Sequence, residues 1–137
     1  MKRSSALALA VGTLLIGMGL PGVAASLAGQ EGDRLVRARS ALPAEIGREL
    51  EQLVATAQQR GIPSAPLVDK ALEGIAKGAP PPVILNVVRE LSGQLERAQR
   101  LLAGERAAPT ADVSAVADAL KRGVPESAIR GLRTGAR

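Results

Sequence analysis

Glu45 and Glu49 are the residues of this chain best spaced for chemistry. Four positions apart on a helix, two carboxylates face the same way and could hold a cation or divide acid and base duties on one substrate. The rest of the usual catalytic equipment is missing. The 137 residues include no His and no Cys, which removes the commonest general base, the thiol nucleophile and most transition-metal ligands. With no Tyr, another acid–base group is gone. Glu51, two positions from Glu49, points away from it on a helix. Ser92, Ser114 and Ser127 lie in no Gly-x-Ser-x-Gly turn and beside no obvious lysine base. The glycines occur singly, so no phosphate-cradling loop is present. The simpler role for Glu45 and Glu49 is to favour the positive end of their helix. The sequence therefore predicts no catalysis, no cofactor and no metal, with a carboxylate-based hydrolase or metal-binding protein as the alternative.

The cations suggest a surface. Arg130, Arg133 and Arg137 gather near the C-terminus, with Lys121 and Arg122 a short way upstream. Four acid-to-base pairs at i,i+4 offset much of the positive charge: Glu73/Lys77, Glu96/Arg100, Asp118/Arg122 and Glu126/Arg130. Each has the acid N-terminal, the better orientation, and is worth about 0.2–0.5 kcal/mol. Single-stranded nucleic acid also calls for aromatic stacking platforms, and the chain has no Phe, Tyr or Trp. Nucleic-acid binding is not expected. Weak contact of Arg130, Arg133 and Arg137 with an anionic membrane surface is the more tenable use of these charges.

A third candidate is apolar. Ile84, Val88, Leu91, Leu95, Ala98 and Leu102 alternate by four and three, the spacing of a helix-pairing seam. Val87 and Leu101 broaden the stripe. Its first duty is to be the central core helix of a bundle. Val83, Leu85 and Leu101, at its edges, are expected to remain exposed and to form an interaction surface for a protein partner or a second copy.

These residues must be positioned by helices, and the punctuation is explicit. Arg60-Gly61-Ile62-Pro63, Lys77-Gly78-Ala79-Pro80 and Arg122-Gly123-Val124-Pro125 repeat one phrase. A cation suits the negative end of a helix, glycine takes a left-handed stop, and proline suits the start of the next helix. The first and second prolines are 17 positions apart and the second and third 45, so this is no solenoid with a fixed period. Helices are expected over residues 43–60, 64–77, 82–103, 110–122 and 125–133, with Thr110 as an N-cap. No segment alternates as a strand does.

The N-terminus reads differently. Lys2 and Arg3 precede an uncharged apolar run over residues 6–20, followed by Pro21-Gly22-Val23-Ala24-Ala25. This resembles a signal peptide cut after Ala25, or else after Ala28, with an uncleaved membrane anchor as the alternative. The apolar run is shorter than the roughly 20 residues of a membrane span. Loss of Lys2 and Arg3 leaves 16 basic residues against 13 acidic, lowering the net charge from +5 to +3. An exported chain without cysteine must rely on packing, here of Leu, Ile, Val and Ala.

The expected architecture is all-α: a small irregular bundle of about five helices joined by Gly-x-Pro stops, after a signal peptide. Residues 1–25 form the leader, 26–41 a flexible or weakly helical segment, and 42–135 the helical domain. The expected role is that of a non-catalytic binding module in the cell envelope or outside the cell.

Overall fold

A computed structural model describes residues 22–103 and 108–135 of the chain. Six helices follow one another, with no strand among the described residues: α1 (Gly22–Ser40), α2 (Ala44–Gln59), α3 (Ala65–Ala76), α4 (Pro81–Leu102), α5 (Thr110–Lys121) and α6 (Glu126–Gly135). The expectation of about five helices, with residues 26–41 flexible or weakly helical, gains a sixth helix in α1. Gly29 and Gly32 argue against a helix over residues 26–41, yet in α1 a Cβ at either would meet nothing within 4 Å. The other face holds the helix in place. Ala38 is fully buried, Leu35 packs on the core, and Glu31, Arg34 and Arg39 reach side chains of α2 and α3. Tertiary packing overrides the weak local propensity. The leader reading falls mainly on residues 1–21, outside the described residues; residues 22–25 belong to α1.

Proline and glycine set the helix ends. Pro43, Pro80 and Pro109 stand just before α2, α4 and α5 with φ of −51°, −56° and −57°. Their carbonyls accept the first helical bonds, from the N–H groups of Gly47, Ile84 and Val113. Pro109 thus holds the N-cap position expected for Thr110, which begins α5 itself. Gly61, Gly78 and Gly123 have φ of 68°, 67° and 86°, where a side chain is strained. At each, the following N–H reaches back into the finished helix: Ile62 to Ala57 O, Ala79 to Gly74 O and Val124 to Ala119 O. These bonds satisfy carbonyls that the helix end would leave unpaired.

Side-chain pairs fix the directions. α1 and α2 run antiparallel, with Arg39 against Glu51 and Glu31 against Gln58. α1 and α3 run parallel, through Glu31 with Ser64 and Arg34 with Asp69. α2 and α4 also run parallel, through Glu49 with Arg89 and Arg60 with Glu96. α1 and α4 each pack on both α2 and α3, so these four helices form a ring. α5 lies along α4, and α6 touches α4 alone among the principal packing contacts. Leu50, Val54, Leu67, Val68, Val88, Leu95 and Val113 fill the centre. Among the described residues, no buried side-chain polar atom lacks a hydrogen-bond partner.

Candidate functional site

The α3–α4 joint builds the most distinctive surface. Pro81 and Pro82 occupy the first turn of α4, where their missing N–H groups cost nothing. Ile84 then turns inward against Gly74 of α3. A Cβ at Gly74 would lie 2.8 Å from Ile84 Cγ1, so only glycine lets the two helices come this close. With Ile84 buried, Val83 and Val87, one turn apart, fall on the outer side and are 49% and 38% exposed. Together with Gly74, Ala79 and Ile84 they bound an apolar notch of about 200 Å³.

Charge rims this notch. Lys70 and Lys77 both donate to Glu73, which lies between them on α3. Hydrogen bonds from Lys70 and then Lys77, reinforced by their charges, hold the Glu73 carboxyl down from 4.5 to about 2. Two ammonium groups over one carboxylate leave a surplus positive charge beside exposed valine.

The other edge residues behave differently. Leu85 and Leu101, expected to be exposed, are 3% and 6% exposed. The expectation put them at the edges of the apolar stripe, whereas α4 is packed on several sides by α2, α3, α5 and α6 and buries a broader arc. Of the three predicted residues, only Val83 stays at the surface. Val87 was legible as its i+4 neighbour, but its place on the stripe suggested burial. Lys70, Gly74 and Ala79 carried no sequence signal for this notch, because it exists only where two helices meet.

Glu45 does not join Glu49 in the cleft that Glu49 lines. Glu45 is exposed, whereas Glu49 pairs with Arg89 of α4 at the edge of a cleft of about 330 Å³ between α2 and α4. Gln52, Thr56, Arg60 and Ser92 also line that cleft. The Glu49 carboxylate is thus engaged by a guanidinium, with no second carboxylate beside it in the cleft. Among the described residues, no group of three or more acidic side chains could hold a metal ion.

Of the C-terminal arginines, Arg130 is exposed and pairs with Glu126 at 3.3 Å, and Arg97 of α4 reaches the same carboxylate at 3.0 Å. The Arg133 side chain and all of Arg137 lie outside the described residues. Leu132, on the same helix, is 76% exposed, while Ile129 is buried. Glu73/Lys77 and Glu96/Arg100 also pair as spaced; Asp118 and Arg122 form no ion pair in the described structure. No described helix is long and apolar enough to cross a membrane.

No family model matches the chain, and no curated protein or solved structure is significantly similar to it.

Proposed function

We propose that the chain is an exported helical module that acts by binding another protein and performs no catalysis. The observation that carries this reading is the notch at the α3–α4 joint, where Val83 and Val87 stand exposed beside Lys70 and Lys77. Exposed apolar side chains grouped in a concavity and rimmed by charge have the anatomy of an interface core. The leader-like N-terminus supports export. The α1 contacts that join it to α2 and α3, from Glu31 onward, lie beyond both cleavage positions. Removal of the leader leaves them in place.

The test uses the full chain with a C-terminal tag and a photo-crosslinking residue at position 87. The expected result is an envelope or secreted protein starting at Ser26 or Gly29, crosslinked to one defined protein. Envelope-bound chain that keeps Met1 identifies the leader as an anchor. Cytoplasmic chain, or no crosslinked protein from position 87, overturns the reading.

A second reading rests on α6, where exposed Leu132 shares a short amphipathic helix with Arg130. Such a helix suits the interface of an anionic membrane. Retention on anionic vesicles should then fall as salt brings the Debye length to about 8 Å. Replacing Arg130, Arg133 and Arg137 by glutamine should abolish it; unchanged retention rejects this reading.

A further inference from the structure

Little holds α6 to the bundle. It touches α4 alone among the principal packing contacts, and none of its residues belongs to the core cluster. At ten residues, with Gly131 in its interior, it is too short and too weak a helix to persist alone in water. Its one buried side chain among those described is Ile129, 6% exposed.

The helix also lies on α4 off-centre. Ala128, Ile129 and Leu132 share the apolar side of α6. Ala128 and Leu132 are exposed, Leu132 at 76%. Ile129 stands at the border with the charged side, which holds Glu126 and Arg130. Glu126 accepts from Arg97 of α4 at 3.0 Å and from Arg130 at 3.3 Å. The bundle therefore grips α6 by the edge of its apolar face, through Ile129 and the Arg97–Glu126 pair, and turns the middle of that face to solvent.

An anionic surface would use the same helix differently. An interfacial helix sinks its whole apolar side below the headgroups and keeps its cations at their level. Ile129 and Leu132 would go in together, which Ile129 cannot do while it faces α4. The two placements exclude each other. Charge favours the second one at an anionic surface. From the last turn of α5 to Arg137 the chain carries Lys121, Arg122, Arg130, Arg133 and Arg137 against Asp118 and Glu126 alone. Gly123, with φ of 86° and room for a Cβ on every side, is the joint at which α6 can swing away while α4 and α5 stay in place.

We propose that α6 is a switch helix: Arg97 latches it on α4 through Glu126, and an anionic membrane surface releases it and refolds it with Ile129 buried beside Leu132. This rests on the membrane reading of α6 and supplies its regulation. Arg97→Gln separates the two. Loss of a cation by itself weakens attraction to anionic lipid, whereas loss of the latch strengthens binding.

The test compares three full-length chains on vesicles of dioleoylphosphatidylglycerol and of dioleoylphosphatidylcholine. They are the native chain, Arg97→Gln, and the variant with Arg130, Arg133 and Arg137 all replaced by glutamine. The leader is common to all three, so differences between them report α6. Arg97→Gln should raise retention on phosphatidylglycerol about two- to fivefold, the contribution of one exposed ion pair. The triple variant should fall to the level seen on phosphatidylcholine. Hydrogen exchange read by mass spectrometry should find the α6 amides exchanging ahead of those around Leu95. In Arg97→Gln they should exchange faster by a similar factor, with no change around Leu95, and phosphatidylglycerol vesicles should protect them. Retention that falls in Arg97→Gln, or α6 amides exchanging no faster than those around Leu95, overturns the switch and leaves the membrane reading in place. Equal retention of all three chains on both lipids removes the membrane reading and the switch with it. Self-association of Arg97→Gln without vesicles would assign the freed face to a second copy and overturn the switch as well.

Discussion

Glu73 shows how much one side chain can reveal about its surroundings. Its carboxyl lies near 2 because two lysines donate to it. A depressed carboxyl pKa stabilises the fold above the unfolded value, and that contribution is lost as pH falls through the folded value. The Lys70–Glu73–Lys77 cluster should therefore be intact above about pH 4.5 and dissolve only as the pH approaches 2. Carbon-detected NMR titration should find Glu73 titrating well below the ordinary glutamate range, and Lys77→Met should raise it. A midpoint at the ordinary value would mean that the lysines do not hold this geometry in solution. The i,i+4 spacing made half of this cluster legible. Lys70, three positions before Glu73, was readable in principle from the same helix rule. Of the neighbouring valines, Val83 was expected at the surface and Val87 was not, because the sequence stripe cannot say which sides of α4 its partners cover. That is also why Leu85 and Leu101 were placed at the surface and proved to be buried.

At the scale of elements, the all-α class was the most readable part of the chain and α1 the least. Gly78 offers the cleanest test of a joint. Its φ is 67° and a Cβ there would meet nothing within 4 Å, so substitution acts through the backbone alone. Gly78→Ala should cost about 1–2 kcal/mol, the penalty of a left-handed L-residue, and β-branched Gly78→Val more. Urea denaturation followed by far-ultraviolet circular dichroism measures both. Gly47 tests a different constraint. A Cβ there would lie 2.9 Å from Arg39 Cγ and 3.0 Å from the Arg39 carbonyl oxygen. Alanine gains about 1 kcal/mol in helix propensity, but forcing α1 and α2 apart costs about 1–3 kcal/mol. Gly47→Ala should be neutral to destabilising by the same assay, whereas a solvated helical glycine such as Gly93, with no neighbour within 4 Å, should be stabilised by alanine. The sequence reading gave residues 26–41 no more than weak helix, because Gly29 and Gly32 lower the local propensity of α1. Its justification lies in Ala38, Glu31 and Arg34 meeting residues far along the chain.

For the whole molecule, the absence of aromatic residues places the burden on small aliphatic side chains. Leu95 is fully buried at the centre of α4. Leu95→Asp should cost about 4 kcal/mol or more, since a lone carboxylate there has no partner. Loss of the helical dichroism signal is the expected readout, with Val83→Asp, at an exposed position of the same helix, as the folded control. A folded Leu95→Asp variant would refute the central place of α4. The all-α class and the order of the later helices followed from periodicity and punctuation. The ring did not, because periodicity says which face of a helix is apolar and never which neighbour will cover it.

That ring has a kinetic consequence. Its hairpins, α1 with α2 and α3 with α4, join helices adjacent in sequence. Its remaining contacts are long-range: Arg34 reaches Asp69 across 35 positions, and Glu49 meets Arg89 across 40. Short loops close at less entropic cost than long ones. The two hairpins are therefore the units that can form first, and the slow event is their docking, when α1 meets α3 and α2 meets α4 in one encounter.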